Sequence, residues 1–313
     1  MQGPLVSIII PNYNHALFLK RRIESVLSQT YQNTEVIILD DYSNDESRSI
    51  IKEYESHPKI VNIVFNTSNS GSTFKQWNKG VQMAKGDYVW LAESDDEASP
   101  YFIEKLMNYI LTNNLALAFS NSNTIDNQNN ITGDLSWWLN DFRNTNWEND
   151  FIMNGSDFCS TIMVVKNAIM NASSVVFSKN KYLESKGANE NMKLCGDWDL
   201  WVRLISNSKL GFVSEKLNFY RFHDNTVRAT KDNQMVIFLE SLTVRIYCFN
   251  NFNVQKDVKL KSAYESLRNL KTLLIKHGKF FAALVLPLYF FKISTQNFSF
   301  GYNMLKSYFI DEK

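Results

Sequence analysis

The residues best suited to chemistry are Glu93-Ser94-Asp95-Asp96, which put three carboxylates within four residues directly after the apolar segment 88–92. Carboxylates this close repel one another unless a positive charge sits among them. Hard divalent cations take oxygen ligands, and Mg²⁺ or Mn²⁺ is usually held by one or two carboxylates together with substrate phosphates. The cluster therefore suits a cation and a phosphorylated ligand; the competing reading is a solvated acidic turn, with Ser94 and Asp95 as turn formers. A second acidic turn, Asp40-Asp41, follows segment 35–39, and the first apolar segment, 5–10, ends in Pro11-Asn12-Tyr13-Asn14. The first strand-to-helix turn has no Gly-x-Gly-x-x-Gly, and no Gly-Lys-Ser/Thr phosphate loop is present. A nucleotide here would instead be held by carboxylates, a metal and loop groups.

Rigid elements must present these acids. Segments 5–10, 35–39, 60–65 and 88–92 are apolar runs of the kind that form fully buried strands of a parallel sheet. Between them, 16–29, about 45–56 and 73–84 read as helices. The first has Leu17, Phe18, Ile23, Val26 and Leu27 on one face and Lys20-Arg21-Arg22 on the outside. Asn44 or Asp45 is the expected cap of the second. This alternation predicts a mainly parallel sheet with helices on both faces and its acidic strand ends at one edge, where open α/β sheets bind ligands. Ser99-Pro100 opens a helix to about 113, and 115–119 is a further strand. The Asn- and Asp-rich stretch 121–147, with Trp137 and Trp138, reads as a loop or hairpin. A short helix over 154–159, a strand over 173–177, helices from Ser178 and Gly196, and strands 211–213 and 217–222 lead to His223. Beyond residue 230 only helical patterns follow, so a boundary is expected there.

Composition narrows the classes. With 44% hydrophobic and 21% charged residues the chain is globular, and a formal charge of +1 supplies no basic field for nucleic acid. Cys159, Cys195 and Cys248 are odd in number and widely spaced, as expected of reduced thiols in a cytoplasmic protein rather than a disulfide or zinc framework. No signal peptide and no apolar run of about 18 residues is read.

Four landmarks stand in order: Val6-Ser-Ile-Ile-Ile-Pro-Asn-Tyr-Asn, Leu39-Asp-Asp-Tyr-Ser-Asn-Asp, Trp90-Leu-Ala-Glu-Ser-Asp-Asp and Gly196-Asp-Trp-Asp-Leu-Trp. The set closely resembles the inverting family 2 glycosyltransferases with the GT-A fold, over roughly residues 4 to 228. The resemblance implies an α/β fold: a GT-A-type nucleotide-binding, mixed but mainly parallel sheet flanked by helices. Residues 1–230 would be the catalytic domain, with a nucleotide-sugar half (1–120) and an acceptor half (121–230), and 231–313 a helical appendage. It implies that Asp41 meets the nucleotide base, that Pro11, Tyr13 and Asn14 line the same pocket, and that Ser94 and Asp95 lie near the ribose. Asp96 would ligate the metal, His223 would lie near the metal or diphosphate, and Asp197 would be the general base. Asn78 is a further candidate for the nucleotide, and Glu93, Ser173, Ser174 and Trp198 for the donor or acceptor sugar. Two departures stand out: Glu93 where the family usually has Asp, and Gly196 where it usually has Glu. Read alone, Asp197 is equally a helix N-cap.

The implied enzyme is a transferase dependent on Mn²⁺ or Mg²⁺. It would move a sugar from a nucleoside diphosphate, UDP or dTDP favoured, to a hydroxyl of a glycan or lipid-linked glycan. The alternatives are a non-catalytic sugar-nucleotide or glycan-binding relative and a metal-dependent phosphoryl-transfer enzyme; Pro11-Asn12-Tyr13-Asn14, with no acid where the latter needs a nucleophile, argues against it. The stretch 276–292 is apolar and lysine-flanked but too short to span a bilayer. It suits packing on the catalytic domain, a homo-oligomer contact, or peripheral attachment to the inner face of the cytoplasmic membrane.

Overall fold

The computed structural model describes residues 3–142, 145–222 and 233–277, with backbone alone over 271–277. The first half alternates as expected: β1 (Val6–Asn12), α1 (Ala16–Leu27), β2 (Thr34–Asp40), α2 (Ser47–Lys52), β3 (Ile60–Phe65), α3 (Thr73–Met83) and β4 (Tyr88–Leu91). β1 lies parallel to β2 and β4, and β2 parallel to β3. Because successive strand side chains face opposite ways, Ile9, Ile37, Leu39, Val89 and Leu91 form one face with Phe74, Trp77 and Val81 of α3. Val6, Ile8, Ile10, Val36, Ile38 and Trp90 form the other with Leu19, Ile23 and Val26 of α1. Burial on both sides is why these strands read as unbroken apolar runs. β1 runs two residues past the expected end, through Pro11. β4 partners it only to Ile9, and beyond that point β1 is an edge where a missing N–H is tolerated.

The second half adds β5 (Glu97–Ala98), α4 (Phe102–Asn113), β6 (Leu117–Ile125), β7 (Ile131–Asp134), α5 (Ser136–Leu139), β8 (Phe151–Asn154) and α6 (Gly155–Phe158). After a π turn at Cys159–Met163 and a 3-10 turn at Ala172–Ser174 come β9 (Val175–Ser178), α7 (Lys179–Glu184), α8 (Gly196–Ile205), β10 (Lys209–Arg221), α9 (Asn233–Asn251) and α10 (Lys256–His277). The strands make one sheet in the order β3-β2-β1-β4-β9-β6-β10-β5, with β7 on β6 and β8 on β10. β9 is antiparallel to both β4 and β6, which makes the sheet mixed.

Two expectations change. The two strands over 211–213 and 217–222 are one strand, β10, with register shifts on either side of Lys216. Arg22, expected on the outside of α1, is wholly buried; it follows Leu19 by three residues and precedes Val26 by four, and so shares their inward face. The C-terminal region is helical, as expected, and its described part packs on the rest of the chain: Val244 and Cys248 of α9, and Val254 after it, belong to the main core. A smaller cluster joins Phe238, Leu242 and Ile246 of α9 to Ala263, Leu267 and Leu270 of α10. No helix among the described residues is long and apolar enough to cross a membrane. His223, the expected boundary near residue 230 and most of the stretch 276–292 lie outside the described residues.

Candidate active site

The ends of β1 and β2 are tied together before any ligand arrives. Asn12 donates to Asp40 Oδ1 (3.0 Å) and Ser43 Oγ (3.1 Å), while Asp40 Oδ2 accepts from the Ser43 amide (3.1 Å) and Arg48 Nε (2.9 Å). Pro11 is buried in β1 and Tyr13 is half-exposed at its end. Asn14 adopts a left-handed conformation (φ 56°), which asparagine tolerates better than most residues. Its backbone N–H donates to Ser43 Oγ (2.9 Å) and its side chain accepts from the Asn44 amide (2.9 Å). Asp41 is buried and heavily engaged. Oδ1 accepts from Asn66 Nδ2 (2.6 Å), the Ser70 amide (2.9 Å) and Gln76 Nε2 (2.9 Å), and Oδ2 from the Ser70 hydroxyl (2.7 Å) and amide (3.1 Å). Asp41 thus shapes the loop after β3. Tyr42 follows with φ 68° and stands half-exposed at the same edge.

After β4 the acids turn inward around two arginines the sequence reading left out of the site. Arg22 has no exposed surface, donates from Nε to the Glu93 carbonyl (2.7 Å), and brings Nη2 to 3.9 Å from Asp96 Oδ2. Arg221, equally buried at the end of β10, gives its backbone N–H to Asp96 Oδ1 (2.9 Å). Its side chain reaches the Asp95 carbonyl (2.6 Å) and Glu97 Oε1 (2.9 Å). These are the positive charges that the acid cluster requires. They do not balance it fully: burial, followed by the charge of Asp95, pushes the Asp96 carboxyl up to about 6. The same two causes push Glu93 up to about 8, although the Trp77 indole donates to it (2.7 Å). Burial lowers the Arg22 guanidinium while the surrounding acids raise it, Asp96 most of all. Ser94 is buried, and its hydroxyl shares a hydrogen bond with His15 Nδ1 (2.8 Å), so His15 also lies beside the acid cluster.

Asp197 sits in the first turn of α8, buried, with Oδ2 accepting from Asn167 Nδ2 (3.1 Å). Four residues along, Asn171 Nδ2 donates to Asp96 Oδ2 (2.8 Å). One segment, 167–171, therefore touches both the expected metal ligand and the expected base. Four residues of chain span at most about 14 Å, so this segment links the surroundings of the two acids. Gly196 has a steric reason to lack the family's usual glutamate: a Cβ there would stand 2.6 Å from the Phe74 ring.

The candidate sugar contacts are mostly occupied. The Trp198 indole is buried and donates to the Met163 carbonyl (3.0 Å). Ser173 Oγ accepts from the Glu93 amide (3.0 Å), and Ser174 Oγ donates to the Asn171 carbonyl (2.7 Å). Both serines brace the loop that carries Asn171. Asn78 donates to the Ala188 carbonyl (2.9 Å) and Glu190 Oε1 (2.8 Å) and accepts from the Tyr182 hydroxyl (2.6 Å), so it holds the 182–190 segment.

A divalent cation fits this chemistry. Burial and the charge of Asp95 disfavour the ionised Asp96 carboxylate, so a bound cation would offset the charge that its protein neighbours leave. A single carboxylate matches the sparse protein ligation of Mg²⁺ or Mn²⁺ when phosphates and waters supply other ligands.

Comparison with known proteins identifies the family and the fold. The family model for Glycosyl transferase family 2 matches residues 7–169, about half of the chain. An uncharacterized glycosyltransferase, MJ1057, from Methanocaldococcus jannaschii is 30% identical over 241 residues, covering 75% of this chain and 77% of its own. Another curated relative is matched over only about half its length (48%). Staphylococcus aureus TarS 1-349, solved in complex with UDP-GlcNAc, superposes with a TM-score of 0.61 at 15% identity, covering 88% of this chain and 74% of that one. The mannosyltransferase PcManGT from Pyrobaculum calidifontis, solved with GDP-Man and Mn²⁺, gives 0.58 at 13%, covering 97% and 87%. These likenesses show the GT-A-type fold.

Proposed function

The chain belongs to glycosyl transferase family 2, and on that premise we propose that it is an inverting transferase. It would move a sugar from a UDP- or dTDP-sugar to a hydroxyl of a glycan or lipid-linked glycan. The observation that carries the proposal is the pair of contacts from one short segment, Asn171 to Asp96 and Asn167 to Asp197.

In this reading the acceptor hydroxyl gives its proton to Asp197 as its oxygen attacks the anomeric carbon, and the bonding pair of the broken glycosidic bond leaves with the diphosphate. Asn167 orients the carboxylate, and the N-terminal end of α8 favours its charged, proton-accepting form. Asp41 receives the base: Oδ2, which carries only the Ser70 hydroxyl and a shared amide, is the oxygen that meets an imide N–H. Tyr13 and Asn14 bound the same pocket, and Ser94 and Asp95 the ribose. Mn²⁺ or Mg²⁺ would be held by Asp96 and His223, and would stabilise negative charge on the leaving diphosphate. A UDP-GlcNAc complex of TarS, with the same fold, supports a uridine nucleotide; the Mn²⁺ of PcManGT supports the metal. Peripheral attachment through 276–292 would bring a lipid-linked acceptor to the site.

The test is a thermal-shift panel of UDP, dTDP, GDP and their sugars, with and without Mn²⁺, followed by assay of nucleoside diphosphate release. A ligand of the native state raises its melting temperature. The expected outcome is stabilisation by UDP or dTDP that grows with Mn²⁺. A panel in which no nucleotide stabilises the protein, or only GDP does, overturns the donor assignment.

A further inference from the structure

The peptide entering Asp197 is held from outside the region that the sequence motifs cover. Glu240, in the middle of α9, turns its carboxylate onto three successive backbone amides: Lys193 (2.7 Å to Oε1), Leu194 and Cys195 (2.9 and 2.8 Å to Oε2). Cys195 is the N-cap residue of α8, two positions before Asp197, and its side chain offers that helix no capping hydrogen bond. An anion against these amides suits the positive end of the helix. It also fixes the direction from which the chain enters α8.

Five residues along the same helix, Arg245 is buried and donates from both Nε (3.1 Å) and Nη2 (2.7 Å) to the Val165 carbonyl, with its guanidinium 5.0 Å over the Trp198 ring. Val165 lies two residues before Asn167, the partner of Asp197. α10 adds Ser262, whose hydroxyl donates to the Val164 carbonyl (2.6 Å). One helix thus grips both walls of the Asp197 niche, the peptide that leads into it and the turn that carries its hydrogen-bond donor.

We propose that Glu240 and Arg245 of α9 are positioning residues for Asp197, holding it and Asn167 at the separation that proton transfer requires. The inference rests on Asp197 being the base, and the C-terminal helices then belong to the catalytic machinery. Neither residue touches the nucleotide edge of the sheet, where Asp41 and the acid cluster lie. Loss of either should therefore act on turnover and spare donor binding. A misplacement of about 1 Å can cost on the order of 100-fold in rate.

The experiment uses the full chain as Glu240→Gln, Arg245→Lys, Asp197→Asn and the double variant Glu240→Gln/Asp197→Asn. The probe is UDP-GlcNAc with Mn²⁺ or, if the wild type does not turn it over, whichever UDP-, dTDP- or GDP-sugar it does. Amide hydrogen exchange over 193–199 is measured alongside. The expected result is a kcat lower by about 10- to 100-fold in each α9 variant, an unchanged KM for the donor, and faster exchange over 193–199 in Glu240→Gln. The double variant should be no slower than Asp197→Asn, because residues acting as a unit are not additive. If Asp197→Asn is slow while both α9 variants keep the wild-type rate, or if exchange over 193–199 is unchanged, the inference is wrong. A joint fall in kcat, donor affinity and melting temperature also overturns it, since that marks a merely structural helix. If Asp197→Asn keeps the wild-type rate, the base assignment itself falls, and the exchange data still report whether the brace exists.

Discussion

Asp41 is expected to serve two masters, and replacing it separates them. In Asp41→Ala four donors lose their acceptor: the Asn66 amide, the Ser70 backbone N–H, the Ser70 hydroxyl, which can turn to the Ser72 carbonyl, and one N–H of the Gln76 amide, whose nitrogen keeps Ser70 Oγ. Asn66 is partly exposed and can turn to water, so its loss costs little. Gln76 is 3% exposed, and a buried donor left unpaired costs about 1–3 kcal/mol. The Ser70 N–H, part-buried, adds about 1 kcal/mol. The sum is about 3 kcal/mol; at an unfolding entropy of about 2.1 cal/mol/K per residue, a chain of 313 residues then melts roughly 5 °C lower. Melting curves of the free protein read this term. Titration with UDP reads the other, in which a lost base contact should weaken binding by roughly 1–3 kcal/mol. Gln76→Ala is the control, because it disturbs the same loop but leaves the carboxylate; it should lower the melting temperature by less and leave UDP affinity near wild type. An Asp41→Ala protein that melts with the wild type refutes the accounting of its hydrogen bonds. One that melts early yet binds UDP as tightly refutes its role at the base.

Three further outcomes follow from the same geometry. Asp197→Asn keeps the shape of the side chain but cannot take the acceptor's proton, so kcat should fall by about two to four orders of magnitude with UDP affinity unchanged, as read by steady-state kinetics and calorimetry. Asp96→Asn should abolish both the Mn²⁺ enhancement of UDP binding and sugar transfer, and excess chelator should do the same to the wild type; transfer that survives in chelator counts against the metal. The third concerns Glu93, whose carboxyl is raised to about 8 by burial and then by Asp95. The folded state keeps a proton that the unfolded chain sheds above about 4.5, so this group's contribution to stability is full below that pH and is lost as pH rises through about 8. With chelator present, the melting temperature of the wild type should fall from pH 5 to 8.5 more steeply than that of Glu93→Gln, and parallel curves would exclude the shift.

The sequence revealed the acids and concealed their partners, for a reason of chain distance. Glu93, Asp95 and Asp96 are neighbours in sequence and follow a strand whose apolar run announces it, so both the strand and its charged end could be read. Arg22 lies 71 residues from the carbonyl it binds, and the Arg221 amide 125 residues from Asp96. Nothing local marks either arginine. Arg22 stands in a run of three basic residues that looks solvated, and only the helical spacing from Leu19 and Val26 shows that it turns inward. Asp41 stands out in the sequence by its place after β2, but the loop it organises does not, because Asn66, Ser70 and Gln76 are residues that turns and helices use everywhere. The candidate sugar contacts mislead in a related way. Trp198 stands next to the expected base in sequence, yet on α8 adjacent residues point in different directions, and its indole goes to the Met163 carbonyl in the core.

The same distance argument explains why the C-terminal helices read as an appendage. Their apolar patterning announces helices but not a docking face, and beside Val244 and Cys248 the contacts that tie α9 to the Asp197 region come from a glutamate and an arginine, types that elsewhere sit on solvated surfaces. In the folded chain each meets backbone rather than side chain: Glu240 takes amides before α8, and Arg245 takes the Val165 carbonyl. Backbone partners leave no trace in the partner's sequence, since any residue at 165 or 194 supplies the same carbonyl or amide. Motifs that span the first 230 residues can therefore identify the family of this chain while omitting a helix whose side chains bind the backbone at 193–195, just before Asp197, and at 165, just before Asn167.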